Sequence, residues 1–288
     1  MMLNAFTVDL EDWFQGLTST NRHPEKWAAY EARLEGNTER LLALLERYGV
    51  RATFFVLGHV ADQYPELIRR IDAAGHEIGV HGYWHNMVHR LTPERFSLEL
   101  ERAMETLEPL VSQPIVGHRA PYFSINKDTL WALDVLSDKG FAYDSSFFPT
   151  RNMLYGYPEA PRFPCRLAAV GAAQVTQDSV GGSRLVEFPV STARWLGINW
   201  PIGGGFYVRV LPYAIICEGI RQLNRQGQPA IMYMHPWELD VGQRFSKVTL
   251  RERVTHYYGR RGLMKKLDRM FQEFAFVPLG RLLEAIPA

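Results

Sequence analysis

Residues 38–80 read TERLLALLERYGVRATFFVLGHVADQYPELIRRIDAAGHEIGV, and their rhythm decides the fold. Leu41, Leu42, Leu44 and Leu45 make the apolar side of a helix over Thr38–Tyr48, and Gly49 marks its end. The run Ala52–Leu57 is apolar, aromatic and β-branched and reads as a strand. A second helix, Pro65–Ala74, stops at Gly75, and Glu77–Val80 is the next strand. Helix and strand alternating at this spacing imply βαβ units and a parallel sheet.

The same rhythm extends both ways. Ala5–Val8 is a strand upstream. Downstream come a helix over Pro93–Leu110, a strand at Ile115–Gly117, a helix over Lys127–Lys139 ended by Gly140, and a strand at Phe141–Tyr143. Val186–Val190 and Ala230–Met234 are later strands, with a helix over Pro212–Arg225 between them. The Gly-, Pro- and Ala-rich run 151–182 breaks the pattern and reads as an elaborated loop. Residues 250–288 read as a C-terminal helical extension. Its basic stretch Arg251–Lys266 reads as a solvated face, ahead of a weak contact with anionic lipid or polymer. For 288 residues, an α/β barrel held as one domain over 1–288 takes precedence over two smaller domains.

Composition narrows the partners. With 47% hydrophobic and 22% charged residues the chain is ordinary for a globular protein with a large core, and at a net charge of +1 no strong field advertises a nucleic-acid or membrane partner. Cys165 and Cys217 make no disulfide framework. There is no apolar run long enough for a transmembrane segment, and the strand-like start at Ala5 leaves no room for a leader, so the expected location is cytoplasmic.

Polar residues cluster just after several strands, where a parallel barrel carries its active site. Residues 7–13, TVDLEDW, crowd Asp9, Glu11 and Asp12 at the end of the first strand. Carboxylates so close raise each other's pKa unless a cation sits among them, so a metal or acid–base role outweighs a solvated acidic turn. His81 and His85 follow the strand Glu77–Val80. At i and i+4 they lie on one face of a helix or helical turn, within reach of one ion, and a carboxylate completes an open site. Arg119, in residues 118–122 (HRAPY), brings a permanent charge and a planar fork suited to a carboxylate. His235, in HPWE after Ala230–Met234, has the properties of a general acid. His76 reads as a structural hydrogen-bonder, His118 as shaping the site mouth, and His23, His59, His89 and His256 join no constellation.

Taken in order, these segments resemble the NodB-homology polysaccharide deacetylases, carbohydrate esterase family 4, from Asp9 to His235. The resemblance implies a distorted TIM-like barrel of seven strands and hydrolysis of the N-acetyl group of an amino sugar. It implies Asp9 as base, Arg119 holding Asp9 ionised and oriented, and His235 as the acid that protonates the leaving amine. It further implies a divalent metal, zinc favoured, on His81, His85 and one carboxylate. Many members carry adjacent aspartates, whereas Asp9 is followed here by Leu10, so Glu11 and Asp12 both stand as candidates for that carboxylate. Asp144 is the candidate to hold His235 charged, with Glu238 as the alternative. The Tyr122 N–H is placed at the oxyanion, Trp237 is placed to stack on a sugar, and Gly203–Gly205 is placed where backbone approaches the site. The segments YDSS (143–146), GGGFY (203–207) and HPWE (235–238) resemble the branch from exopolysaccharide loci that accompany exosortase/PEP-CTERM systems. The competing readings are a cyclic amide or imide hydrolase on the same barrel, a catalytically inactive carbohydrate-binding protein, and a non-haem iron oxygenase, against which the α/β alternation speaks.

Overall fold

The computed structural model describes residues 2–21, 23–151, 156–168, 182–243 and 248–286. Its strands are β1 (Leu3–Leu10), β2 (Thr53–Val56), β3 (Glu77–Val80), β4 (Gly117–His118), β5 (Tyr143–Asp144), β6 (Cys165–Ala168), β7 (Gly182–Glu187), β8 (Thr192–Trp195), β9 (Ile198–Pro201), β10 (Ile231–Met234) and β11 (Ala275–Val277). Its helices are α1 (Trp13–Gly16), α2 (Thr18–Asn21), α3 (Leu34–Arg47), α4 (Gly58–Gln63), α5 (Pro65–Ala73), α6 (Pro93–Leu107), α7 (Trp131–Asp138), α8 (Gly205–Val210), α9 (Tyr213–Arg225), α10 (Leu250–Tyr257) and α11 (Arg260–Glu273).

The main sheet runs β10-β1-β2-β3-β4-β5-β7-β6. From β10 to β7 the seven strands are parallel, and β6 lies antiparallel on β7. The curled sheet is the expected seven-stranded, distorted α/β barrel in a single domain. Its distortion lies between β7 and β10, where no full strand fits. There Ser191 N donates to Ile231 O (3.1 Å), Gly203 N to Ser191 O (3.0 Å) and Tyr233 N to Gly203 O (2.6 Å). Gly203 is required at this seam, because a Cβ there would stand 2.5 Å from Ile231 O.

The pleat sorts side chains to two cores. Ala5, Phe55, Tyr143, Val186, Phe188 and Ile231 point into the barrel, where Leu279 and Leu282 of the final turn, Leu279–Ala285, join them. Phe6, Val8, Leu10, Phe54, Val56 and Val80 point out and pack under helices through Leu41, Leu45, Ile68, Leu100 and Leu133. Both cysteines are free. Residues 152–155 and 169–181 of the expected elaborated loop lie outside the described residues. Its described remainder supplies β6. The expected C-terminal extension is α10, α11 and β11, and β11 adds in parallel to β1. The hairpin β8–β9 was not anticipated. Among the described residues no helix is long and apolar enough to cross a membrane.

Candidate active site

The inward face of β1 places Thr7 and Asp9 at the C-terminal end of the barrel, and Glu11 continues that face as the strand ends. All three are buried. Arg119 follows β4 and is fully buried. Its fork is completely directed. Nε donates to Ser145 O (3.0 Å), Nη2 to Ser145 Oγ (2.8 Å), and Nη1 to both Thr7 Oγ1 (2.7 Å) and Asp9 Oδ1 (2.8 Å). Such a pair is tolerated in a dry interior because each guanidinium nitrogen has an oxygen partner and Asp9 Oδ1 is held, while Asp9 Oδ2 stays open toward the pocket.

Glu11, His81 and His85 bring one ligand atom each within 4.8 Å of one another. The expected helical turn is absent. His81–His85 is irregular, and the left-handed Gly82 (φ 77°) and His85 (φ 57°) bend the chain so that both rings face one point. His81 Nδ1 donates to Arg119 O (2.7 Å) and His85 Nδ1 donates to Asn21 Oδ1 (3.3 Å). An oxygen acceptor at each Nδ1 turns each Nε2 toward the cluster, where His85 Nε2 stands 2.9 Å from Glu11 Oε2, the arrangement of a metal-ligating histidine with its outer partner in place. Burial pulls His81 down to about 4, with Asp9 and Glu11 opposing, so its imidazole is neutral. Burial alone would raise Glu11, but His85 and His235 beside it hold it at about 2, a carboxylate. The donor set of two imidazoles and one carboxylate fits a divalent cation of the zinc type.

Asp12, the other candidate ligand, is turned away. Its oxygens cap α1 through Trp13 N (2.8 Å) and anchor the entry to α3 through Arg33 N (2.7 Å) and Leu34 N (3.0 Å). Burial nonetheless raises it to about 6.

His235, beyond β10, sets Nε2 3.2 Å from Glu11 Oε1 and 3.9 Å from Asp9 Oδ2. Burial works against its charge, but Glu11, Glu238 and Asp9 prevail and raise it to about 9. The supporting carboxylate is Glu238, 3.0 Å from His235 Nδ1. Asp144 is corrected. It is on the opposite face of the sheet, where it accepts from His118 Nδ1 (2.7 Å) and Ser146 Oγ (2.8 Å). His118 is thus behind the sheet and does not shape the site mouth. Glu238 is gripped in turn by buried Arg209, whose Nε donates to Glu238 Oε2 (2.6 Å). The same guanidinium donates to Thr255 O, His256 O and Tyr258 O, which ties α8 and α10 to the site. Gly205 makes room for this link, since a Cβ there would stand 2.0 Å from Glu238 Oε1.

Trp237 does not offer a free face. The indole is stacked on His235 (4.8 Å) and His256 (4.3 Å), and its Nε1 donates to Glu11 Oε1 (3.3 Å). It braces the site rather than stacking on a sugar. Tyr122 lines the pocket in a left-handed conformation (φ 55°), its ring 4.7 Å from that of His85 and its hydroxyl donating to Gln15 O. Arg209 and His256 were missed by motif reading, and Thr7 and Ser145, though inside the quoted segments TVDLEDW and YDSS, were given no role of their own. Thr7 carried a positional signal, as the residue two before Asp9 on the inward face.

Asp9, Glu11, His81, His85 and His235 open into one pocket of about 800 Å³. Phe123, Tyr233, residues 198–201 of β9, Phe206 and Tyr207 of α8, and Arg251, Thr255 and His256 of α10 complete its walls. Residues 24–143 match the polysaccharide deacetylase family, and residues 145–284 match a domain of unknown function, DUF3473. Residues 24–143 are thus similar to a polysaccharide deacetylase domain. The boundary between the two matches falls inside β5, so the deacetylase match and DUF3473 share one barrel. The chain is 34% identical over 125 residues to a peptidoglycan deacetylase-like protein of Gibberella zeae, covering 41% of this chain and 36% of that one. It is 39% identical over 104 residues to a chitooligosaccharide deacetylase of Sinorhizobium fredii, covering 35% and 44%. The chain therefore spans less than half the length of these relatives. A solved structure from Mycobacterium smegmatis, provisionally named a polysaccharide deacetylase, shares the fold of the whole chain. Its TM-score is 0.63 at 24% identity, over 98% of this chain and 88% of that one.

Proposed function

We propose that this protein removes the N-acetyl group from an amino sugar of an exopolysaccharide or its precursor, releasing acetate, with a divalent cation, zinc favoured, on Glu11, His81 and His85. One observation carries the reading. The Asp9–Arg119 pair, the Glu11–His81–His85 cluster and His235 share one pocket. A cation held there supplies Lewis-acid polarisation of the acetyl carbonyl and a bound water of lowered pKa. Asp9 receives the proton of the attacking water, with Arg119 pinning Oδ1. His235 Nε2 donates to the departing amine, and Glu238 and Trp237 hold the imidazolium in place. The exopolysaccharide assignment is supported by the resemblance of the YDSS, GGGFY and HPWE segments.

Acetate release from N-acetylglucosamine oligomers, followed alongside metal content, tests the reading. Chelation and His81→Ala are expected to abolish metal and turnover together. Asp9→Asn and His235→Ala are expected to retain metal while turnover falls by about 10²–10⁴. Full turnover in chelated protein, or a His235→Ala variant of wild-type rate, refutes the proposed roles.

A further inference from the structure

Around the mouth of the pocket stand apolar side chains that packing does not use. Ten large hydrophobic side chains are exposed among the described residues. Six of them lie on two elements that wall the pocket: Leu196, Ile198 and Trp200 on the β8–β9 hairpin, and Leu250, Val254 and Tyr258 on and just after α10. Scattered apolar residues are ordinary on a surface, whereas a concentration beside one opening marks an interaction site.

Leu196 is the telling residue. With Gly197 it forms the two-residue turn of the hairpin, at φ 53° and 79°, the left-handed pair that suits Asn-Gly. A leucine is strained there, and at 99% exposure it gains no packing in return. Leu250 and Val254 on α10 and Tyr258 just after it recur at every fourth position and are solvent-exposed, while Arg251, Thr255 and His256 line the pocket.

Chemistry selects the partner. Saccharides are gripped by flat aromatic faces and hydrogen-bonding groups, yet four of the six are aliphatic. Aliphatic chains gain from entering hydrocarbon, while Trp200 and Tyr258 suit the headgroup level. The same two elements carry exposed Arg194, Arg251 and Arg253, and their one carboxylate, Glu252, is buried. We propose that this rim docks the protein on an anionic lipid bilayer, the hairpin tip and the outer face of α10 entering the headgroup region with the pocket beside them. The proposal goes beyond the deacetylase reading and does not rest on it.

Co-sedimentation of the whole protein with vesicles tests it, using phosphatidylcholine alone and an equimolar mixture with phosphatidylglycerol. Binding is expected to the anionic vesicles and to weaken in high salt. Leu196→Asn combined with Val254→Gln is expected to lower partitioning by at least about tenfold. Leu196→Asn alone is expected to raise the thermal midpoint, by relieving the turn, while it lowers vesicle binding. A purely structural role for this leucine would not separate the two. Absence of vesicle binding, or binding unchanged by these substitutions, overturns the proposal. So does loss of affinity for a soluble N-acetylglucosamine oligomer in the same variants, which would make the rim a polymer platform.

Discussion

Leu10 faces outward at the end of β1, so Glu11 returns to the face of Asp9 and Asp12 falls where the chain turns into α1. Backbone geometry thus gives two adjacent acids separate tasks. Asp12→Ala removes the cap of α1 and the anchor of Arg33 and Leu34, so a loss of roughly 1–3 kcal/mol in urea unfolding is expected, with metal binding retained. Glu11→Gln is expected to weaken the metal by at least about tenfold in a competitive titration. The reverse pattern would show that the ligand assignment is wrong. The i+2 spacing of Asp9 and Glu11 was legible in the sequence. The partners that claim Asp12, Arg33 and Leu34, lie across a stretch that no local pattern links to the first strand. The partner of His235 was open for a related reason. Asp144 and Glu238 both follow strands, and only the pleat of β5 shows that Asp144 faces away.

β2 and β3 are held at their N-terminal ends by a histidine. Ala52 N donates to His76 Nδ1 (3.1 Å), which requires the neutral ring, and burial with Arg51 nearby lowers His76 to about 4. The unfolded chain takes up this proton near pH 6.5 and the folded chain near 4. The stabilisation is therefore complete above pH 6.5 and is lost as pH falls toward 4. The wild type is expected to lose about 2–3 kcal/mol more than His76→Gln between pH 7 and 4 in denaturant unfolding. Parallel pH profiles would refute the link. At this scale the regular βα units were readable because their apolar periods of 2 and 3.6 are local. The β8–β9 hairpin was not, because its Leu-Gly turn lacks the usual Asn or Asp. The histidine pair was misread as helical because spacing alone does not reveal that Gly82 and His85 take left-handed conformations. The Arg209 link joins three elements through side chain and backbone carbonyls, a pairing with no sequence period at all.

The N-terminal end of the barrel is stoppered by the chain itself. Leu279 is fully buried against the interior core, and its N–H donates to Thr53 Oγ1 (2.8 Å). Leu279→Ala opens a cavity at the centre of the strand ring, and a loss of about 2–5 kcal/mol in denaturant unfolding is expected. A loss below about 1 kcal/mol would mean that the ring collapses around the gap and that the stopper is dispensable. The same closure has a consequence in time. Asn4 in β1 accepts through Oδ1 from Ala230 N, 226 positions further along, and Leu3 pairs with Ala275. At ribosomal speeds β1 waits on the order of 10–50 s for β10 to be made. During that interval Phe6, Val8 and the bare edge of β1 are available to a wrong neighbour. β1, the earliest of the described strands and the one that carries Asp9, keeps one edge uncovered until β10 has been made.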